Sequence, residues 1–580
     1  MDRRPCPGCA AKRRAVAAAV CAGLAACLAL AGCPGAERDR FPARASRTVI
    51  RRIEAEAARS AATAAANQAA APAAPPKPAA DGEARLALID ALRWALANNH
   101  DIQIAGYGPP LADEDVIHAE ALFDPAVFLS NNFNRTKRPI QTTIDTGRTA
   151  DEHLIENRWS AQYGIRKRAL SGGTVSLYQD MGYLLSNSRY TIPDPQYTAN
   201  LTTELKQPLL KGFGDPVNRG AIRVASLSTD VSFQDFRAKV MEAVTETVTT
   251  YWQLAFDLES VRVTRSTLDM AREVLRRETE RLADGLSTAL SVDRAQAAVS
   301  TREAGLVRAE VRARNTMDHL KLLLNADEFP LDGNVRVVPG EEPQFYVFEV
   351  DRPAAVAKAL IHRPDLETAR TAIAINQVRL DVADRERLPK LDATLRYTLN
   401  GLGHESGDSV EMLDPGGPFG WVAGIEFELP LGNRSTESDR RKRLIEYQRS
   451  LLEADRQITR AIQDVNQAVR TILSARDEVE ATLRARIAAD RTVKGEFVRF
   501  ELGQVTNEEL LRSQEVLGAA ESDHLLALLN FNIALVNLAK AQGTLLEDHG
   551  IEVVRPPGPP SVAEPVRVQF RAPARPARPK

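Results

Sequence analysis

The sequence is short of the residues on which many enzymes, disulfide-rich domains and nucleic-acid-binding proteins depend. All five cysteines lie within the first 33 of its 580 residues, so the remainder has none for a disulfide, a thiolate metal site or a cysteine nucleophile. Aromatic residues make up only 5% of the chain. The 75 basic and 77 acidic residues nearly cancel, which removes the bulk positive charge that nucleic-acid binding needs. We therefore expect no nucleic-acid partner and no cysteine chemistry after residue 33.

Sequence motifs of common enzymes are missing as well. The sequence has no H-E-x-x-H, no G-x-S-x-G and no G-x-x-x-x-G-K-[ST]. Gly401-Leu402-Gly403 falls in a predicted hairpin loop and not between a strand and a helix, which argues against a dinucleotide site. The eight histidines show no pair at metal-ligand spacing, and His319 and His524 are expected to be packed or solvated on long helices. The sequence thus predicts no enzyme, no cofactor and no bound metal.

The first 33 residues are typical of an export signal. Basic residues at positions 3, 4 and 12–14 precede an apolar run from Ala15 to Leu30. This run of about 16 residues is shorter than the roughly 20 that span a bilayer, which favours a signal peptide over a membrane anchor. It ends in Leu30-Ala31-Gly32-Cys33, which resembles a bacterial lipobox, so Cys33 is the predicted lipidation site. An ordinary signal peptide with a chance cysteine is the alternative.

Two further segments have too little apolar bulk to build a core. Residues 34–83 are rich in alanine and proline, and we predict a tether there. Residues 551–580 are rich in proline and arginine, and we predict a disordered tail. Between these segments the hydrophobic residues, 44% of the whole chain, are largely Ala, Leu and Val. That mixture favours long helices packed through small residues over several compact cores.

The region between the tether and the tail repeats itself. Matching positions keep one order along the two halves: residues 95–102 with 359–366, Pro125 with Pro389, Pro208 with Pro430, and Gly285 with Gly503. The sequence therefore predicts two tandem repeats, at 84–330 and 351–550, joined by a linker at 331–350. The offset between partners falls from 264 to 222 between the second and third pairs, so the first repeat has about 42 extra residues before Pro208.

Each repeat is predicted to begin with a short helix, at about 86–122 and 352–387, which a proline ends. A strand region follows. In the second repeat, apolar and polar residues alternate at 391–399 and again at 421–429, which predicts a β-hairpin. The first repeat has comparable strands near 127–133 and 198–206. An additional hairpin around Ser171-Gly172-Gly173 either adds two strands to these or forms an extracellular loop.

The last part of each repeat is predicted to be a long helical hairpin. Apolar residues recur every three or four positions from Val240 to Leu282 and from Ile458 to Ile487. Each arm is expected to run for about 60 residues, or roughly 90 Å at 1.5 Å per residue. Sustained spacing of this kind predicts a coiled coil. Gly285 and Gly503 interrupt the pattern, as a residue at a tight turn would.

The strands carry the weak signature of an outer-membrane barrel, with alternating segments rich in Tyr and Trp. One chain supplies only four to six of them, whereas closure takes at least eight. Since an unclosed sheet in lipid would leave backbone groups unpaired, identical chains must complete the barrel. The alternative is that these strands belong to a soluble β-domain or to an edge sheet.

Several motifs, taken in order, resemble those of the TolC family of outer-membrane factors. They are the opening Leu88-Ile89-Asp90-Ala91-Leu92 with Ala95-Leu96-Ala97-Asn98-Asn99, the strand exits Gln207-Pro208-Leu209-Leu210 and Leu429-Pro430-Leu431-Gly432, and the tips 281–287 and 499–506. The resemblance covers residues 84–550. It implies a mixed, mainly α fold in which two repeats of helix, β-hairpin and long coiled-coil hairpin form part of a trimeric β-barrel and a periplasmic α-barrel.

The resemblance also implies a function without chemistry. The homotrimer would lie in the outer membrane of a Gram-negative-type cell, lipid-anchored and with a long periplasmic part. Its helical tips would dock onto a periplasmic adaptor protein that links to an inner-membrane transporter, and the duct would export drugs, metals or proteins. A non-conducting coiled-coil lipoprotein acting as an envelope spacer is the alternative.

Candidate site residues follow from the same resemblance. The adaptor-docking tips are Gly285, Leu286, Ser287, Gly503, Gln504, Val505 and Thr506. The family's periplasmic entrance carries acidic residues just after the second tip, and the matching positions are Glu509 and Arg512. Glu509 keeps the acidic type, whereas Arg512 departs from it. This departure argues against a simple cation gate formed by three carboxylates.

Overall fold

The computed structural model describes residues 82–140, 146–147, 153–331, 333, 335–346, 349–414, 416–554, 566 and 568–570. The predicted signal peptide, its lipidation site Cys33, and the predicted tether as far as residue 81 lie outside the described residues.

Strands and helices alternate in long blocks along the chain. The strands are β1 (Glu83–Leu86), β2 (Ala126–Pro139), β3 (His153–Arg168), β4 (Thr174–Ser186), β5 (Gln196–Pro208), β6 (Arg336–Pro339), β7 (Lys390–Gly403), β8 (Phe419–Glu428), β9 (Ile551–Val553) and β10 (Val568–Phe570). The helices are α1 (Leu88–Asn98), α2 (His100–Gly106), α3 (Gly108–Glu120), α4 (Asp215–Asn218), α5 (Gly220–Ala283), α6 (Ala289–Leu324), α7 (Arg352–His362), α8 (Pro364–Glu386), α9 (Ser406–Glu411), α10 (Arg434–Glu501), α11 (Asn507–Gln542) and α12 (Leu545–Asp548).

The described residues divide into two compact units. The strand unit comprises residues 115–226 and 375–448, and the helical unit comprises 82–114, 227–374 and 449–570. Each unit takes segments from both halves of the chain, as two tandem repeats with the same order of elements would require.

The strand unit is built on one six-stranded antiparallel sheet in the order β2-β3-β4-β5-β7-β8. The hairpin predicted from the alternation after Pro389 is confirmed as β7 and β8. The additional hairpin of the first repeat consists of β3 and β4, which lie inside the same sheet between β2 and β5. Of the two possibilities left open by the sequence, the extra residues therefore add strands.

The long helices form two hairpins with unequal arms. Helices α5 and α10 have 64 and 68 residues, close to the predicted 60, but α6 and α11 have only 36 each. The prediction of about 60 residues in each arm was therefore wrong for α6 and α11. Asn325 and Gly543 end the returning arms with positive φ angles, a conformation that caps a helix and stops it.

The helix at the start of each repeat is divided, contrary to the prediction of one helix. In the first repeat, Asn99 separates α1 from α2, and its Oδ1 accepts a hydrogen bond from the backbone N–H of Asp101 at 2.8 Å. In the second repeat, Pro364 begins α8. Proline disfavours the helical conformation of the residue before it, and α7 ends at His362.

The predicted linker and part of the predicted disordered tail contribute strands to the helical unit. The predicted linker contains β6, which pairs in parallel with β1. The predicted disordered tail contains β10, which pairs with β9, and the backbone N–H of Val566 donates to the carbonyl of Gly106 at 3.1 Å. Val566 is buried in the main apolar cluster of this unit, against which Val568 and Phe570 pack. These alternating apolar residues explain why this part of the tail is ordered.

Helix α11 is the one helix, among the described residues, that is long and apolar enough to cross a membrane. Half of its most apolar window is buried in the protein, and its buried side chains include Leu510, Phe531 and Leu538. Packing in the cores of the helical unit accounts for its apolar character.

Tyr251 ties α5 to the small parallel sheet. Its hydroxyl donates to the carbonyl oxygen of Leu86 at 2.9 Å and accepts from the backbone N–H groups of Gly340 at 3.1 Å and Glu341 at 3.3 Å. The side chain is fully buried, and burial raises its pKa to about 12.

We expect Tyr251→Phe to destabilise the helical unit by about 1 kcal/mol, because the hydrogen bonds of the buried hydroxyl are lost while the Leu86 carbonyl keeps its bond from the N–H of Gly340 at 2.8 Å. Since the folded-state pKa lies above the ordinary value of 10, the hydroxyl's contribution is complete below pH 10 and is lost as the pH rises toward 12. Limited proteolysis across this pH range measures both effects. Tyr107→Phe, at an exposed position of the same unit, is the control. Equal protease resistance of Tyr251→Phe and the parent chain would show that the Tyr251 hydroxyl does not stabilise the helical unit.

Candidate functional site: the hairpin tips and the two faces of the sheet

The two helical hairpins turn in the same way. Gly285 and Gly503 follow the long arms with φ angles of 74° and 70°. In the first turn the N–H of Leu286 donates to the carbonyl of Arg281 at 2.7 Å, and in the second the N–H of Gln504 donates to the carbonyl of Arg499 at 2.9 Å. Because positive φ is costly for residues with a Cβ, glycine is the residue that this turn requires.

Threonine caps the helix that leaves each turn. The Oγ1 of Thr288 accepts from the backbone N–H of Ser291 at 3.2 Å, and the Oγ1 of Thr506 accepts from that of Glu509 at 3.4 Å. The Glu509 carboxylate returns the contact by accepting from the N–H of Thr506 at 3.0 Å. Glu509 thus completes a capping box, which explains an acidic residue at this position without any gate. Arg512 lies one turn further on and is exposed.

The two tips contact each other although 218 residues separate their glycines. Arg277 forms an ion pair with Glu501 at 2.5 Å, and Arg294 forms one with Glu508 at 2.9 Å. The Nδ2 of Asn507 donates to the carbonyl of Ser291 at 2.9 Å. Leu268, Val274, Val299, Phe500 and Leu510 share an apolar cluster below these contacts. The tips therefore form one composite surface.

Arginine and aromatic side chains hold the long arms together near the turns. The guanidinium of Arg281 lies 5.0 Å from the ring centroid of Phe500, and that of Arg277 lies 4.7 Å from the ring of Phe497. Glu278 is almost fully buried, and its carboxylate accepts from the hydroxyl of Ser287 at 2.5 Å. The sequence analysis did not identify these contacts. A signal was present, because Arg281 and Arg499 each lie four residues before the glycine of their turn.

An arginine pair also fixes the charge of the neighbouring acidic residue on α5. Hydrogen bonds from Arg276 and Arg277 lower the pKa of Glu273 to about 2. Arg277 contacts Glu273 at 2.8 Å as well as Glu501, so it bridges the two hairpins as a permanent cation between two carboxylates.

Most of the predicted docking residues are exposed. Leu286 is 73% exposed, and Gly285, Gly503, Gln504 and Thr506 lie at the surface as well, whereas Ser287 and Val505 are half-buried. Leu502, next to the second turn glycine, is 67% exposed. The composite tip therefore presents apolar side chains to solvent beside its polar caps.

The sheet of the strand unit has one apolar face. Successive strand residues point to opposite sides, so the register of the six strands defines each face. The face that we term the apolar face carries Val127, Leu129, Phe133, Tyr163, Ile165, Leu205, Leu395, Tyr397, Trp421, Ile425 and Phe427. Each of these side chains is at least 40% exposed. Such a broad exposed apolar surface requires a cover.

The opposite face, which we term the polar face, carries cross-strand ion pairs. Lys206 contacts Asp392 at 3.3 Å, and Lys390 contacts Glu426 at 2.6 Å. Further along, Arg396 contacts Glu204 at 3.0 Å. A face with charged groups of both signs suits water and not lipid.

The structure brings no histidine into a metal-binding arrangement within the residues it describes. His319 contacts Glu246 at 3.3 Å, and His524 contacts the hydroxyl of Thr482 at 3.2 Å. Burial lowers the pKa of His524, and the charge of Arg486 lowers it further. No group of three or more His, Cys, Asp or Glu residues that could hold a metal ion occurs among the described residues.

Comparison with known proteins identifies a family and similar folds. A family model described as "Outer membrane efflux protein" matches residues 91–326 and 355–544, one segment within each predicted repeat. The chain is 26% identical over 243 residues to "Toxin and drug export protein A" of Aggregatibacter actinomycetemcomitans, an alignment that covers 40% of this chain and 49% of that protein.

A second relative and a solved structure extend this similarity. The chain is 25% identical over 335 residues to "Pyoverdine export outer membrane protein OpmQ" of Pseudomonas aeruginosa, which covers 56% of this chain and 66% of that protein. The chain thus spans about half to two thirds of the length of these two relatives. Its fold is similar to that of the Campylobacter jejuni CmeC outer membrane channel, with a TM-score of 0.59 and 16% identity over 79% of this chain and 86% of that one.

Proposed function

Because this chain belongs to the outer membrane efflux protein family, we propose that it is the outer-membrane exit duct of a tripartite efflux or type I secretion system. It is a passive conduit for substrates that an inner-membrane transporter and a periplasmic adaptor deliver. The observation that carries this proposal is the sheet, with an exposed apolar face, a charged polar face and two open edge strands. A non-conducting coiled-coil spacer has no use for such a sheet.

Closure of the sheet requires other copies of the chain. Six strands are fewer than the eight of the smallest membrane barrels. Because neighbouring strands alternate in direction, β2 and β8 run in opposite directions, and β8 of one copy can pair with β2 of the next as a further antiparallel neighbour. Three copies, the number that the family resemblance implies, give a barrel of about eighteen strands, with the apolar face toward lipid and the polar face toward water.

The composite tip is the proposed docking surface for the adaptor. Leu286 and Leu502 supply exposed apolar area, and Gln504 supplies a polar side chain beside it. Because ion pairs and stacked arginines join the two hairpins, a partner meets a rigid surface and loses little free energy in ordering it. Glu509 and Arg512 border this surface, and we propose that they lie at the periplasmic entrance.

We propose two further features, one from the sequence and one from the names of the relatives. Lipidation of Cys33 anchors the N-terminus in the outer membrane, where the barrel also lies. The printed names of the relatives mention toxin, drug and pyoverdine export, so the cargo is a small molecule or a protein that the partner transporter selects. The duct itself is proposed to carry out no reaction and to need no cofactor.

Purification of the full chain tests the proposed function. We expect a trimer by native mass spectrometry that is extracted only with detergent and that conducts ions across a planar bilayer. A soluble dimer that needs no detergent would instead support the coiled-coil spacer and end the proposal.

A further inference from the structure

Helix α9, in the loop between β7 and β8, lies on the apolar face of the sheet. Ser409 of this helix is 1% exposed, and Ala199 of β5 beneath it is fully buried. A Cβ at Gly401 would lie 1.9 Å from the carbonyl oxygen of Ser409, and one at Gly403 would lie 2.6 Å from the Cβ of Asp408. Both glycines belong to β7 and point, like Leu395 and Tyr397, to the apolar face. Because these glycines have no side chains, the helix can lie directly on the strand. We term the surface beneath it, formed by Ala199, Gly401 and Gly403, the seat.

The seat continues a row of aromatic residues across the sheet. Phe133, Trp159, Tyr183 and Tyr197 pair in register from β2 to β5, and the next partner is Gly403. The rings of Tyr183 and Tyr197 lie 5.0 Å apart. Aromatic side chains of this kind line the membrane–water boundary of barrels. Where the row reaches β7, helix α9 takes the place of an aromatic ring.

The distance along β7 agrees with this position. Leu391 is the first residue of β7 that lies on the apolar face. Gly401 lies ten residues beyond it, near the end of the strand that is remote from α8. Ten residues span about 33 Å along a strand, or about 25 Å along the membrane normal at a tilt of about 40°, which equals the height of the apolar band of a barrel. Helix α9 therefore lies at the outer border of this band.

The exposed side of α9 and the residue after it are amphipathic. Val410 and Met412 are 43% and 40% exposed, so this segment presents apolar side chains at its surface. Glu405 and Asp408 form a capping box at the start of the helix, and Glu411 is exposed at its end. Amphipathic helices lie in the plane of a membrane interface when their apolar side meets the acyl chains and their charged side meets water.

We infer that α9 is an interfacial helix that lies in the outer leaflet at the level of the lipid headgroups, with Val410 and Met412 in contact with lipid. This inference rests on the proposed function, since lipid must cover the apolar face for the helix to meet it. The helix fixes the depth of the β7–β8 end of the barrel and shields the small residues of its seat.

Site-directed spin labelling tests the position of the helix. The full-length trimer, free of other reactive thiols, is labelled at Val410→Cys and reconstituted into phosphatidylethanolamine and phosphatidylglycerol vesicles. We expect this label to collide more with oxygen, which concentrates in lipid, than with a water-soluble nickel complex. Leu395→Cys on the apolar face and Val422→Cys on the polar face give the lipid and water references. If Val410→Cys matches the water reference while Leu395→Cys reports lipid, the inference is overturned and the proposed function stands. If Leu395→Cys also reports water, the proposed function fails.

A second variant tests the seat. Gly401→Ala places a Cβ where the carbonyl of Ser409 lies, so we expect the label at Val410→Cys to lose its oxygen preference while the Leu395→Cys label keeps it. Gly424→Ala, on β8 of the same sheet, meets nothing within 4 Å and is expected to change neither label. An unchanged Val410→Cys signal in the Gly401→Ala chain would overturn the seat. Should Gly401→Ala fail to assemble, the label in the parent chain still decides the inference.

Discussion

Leu395→Lys is expected to prevent assembly of the trimer in the outer membrane. Leu395 lies on the apolar face, midway between Leu391 and Leu399 of β7, and is 53% exposed in the single chain. A lysine at the midplane of a barrel costs about 2–4 kcal/mol on the lipid side. Three copies make this about 6–12 kcal/mol per trimer, which is comparable to the whole stability of a folded domain. The measurement is the amount of SDS-resistant trimer in the outer-membrane fraction.

Val422→Lys is the matched control for this prediction. Val422 lies on β8 and pairs with Arg396, the residue next to Leu395, but it faces the polar side of the sheet. The new lysine meets a like charge across the ladder, which costs at most about 1 kcal/mol. We expect trimers in near-normal amount, because the proposed function places water on this face. Equal loss with both variants, or no loss with Leu395→Lys, would show that lipid does not cover the apolar face.

The sequence predicts the fold wherever a periodic pattern runs over many residues. The alternation at 391–399 and 421–429 identifies β7 and β8, and the 3–4 spacing identifies α5 and α10. Helix ends are harder to predict, because a single residue decides them. Asn325 and Gly543 end the returning arms through positive φ angles that the apolar spacing does not reveal. The strand β10 is concealed among prolines, since three alternating apolar residues are too few for a pattern.

The candidate site is predictable only in part, for a related reason. The glycines of the turns follow from the repeat, because both copies need the same backbone conformation. The contacts between the tips do not follow from it. Arg277 and Glu501 are 224 residues apart, and no local rule relates an arginine on one hairpin to a glutamate on the other. The capping box of Thr506 and Glu509 is local and could have been recognised from the T-x-x-E spacing.

Gly503→Val is expected to weaken binding of the proposed periplasmic adaptor while leaving the trimer intact. The substitution has room, since a Cβ at Gly503 would lie 3.7 Å from the Nη2 of Arg281, an ordinary contact. Its effect comes from the φ angle of 70°, which costs a residue with a Cβ about 1–2 kcal/mol. If the native turn is needed for docking, the affinity of each tip falls by about 5–30-fold. Docking is measured in cells by disulfide cross-linking through one cysteine introduced near the tip and one in the adaptor, and function is measured as export by a strain that lacks the native gene.

Gly495→Val separates the turn from the added bulk. Gly495 lies exposed on α10, about two turns before Gly503, and a Cβ there meets nothing within 4 Å. The same side chain is introduced in both variants, but only Gly503 needs a positive φ. We therefore expect normal docking and export with Gly495→Val. Gly495 and Gly503 belong to the helical unit, whereas the strands of the barrel belong to the strand unit. Both variants should therefore yield SDS-resistant trimers in parental amount. Full docking by Gly503→Val, with its trimer intact, would remove this turn from the docking surface and leave the partner's contact to be sought elsewhere on the long helices.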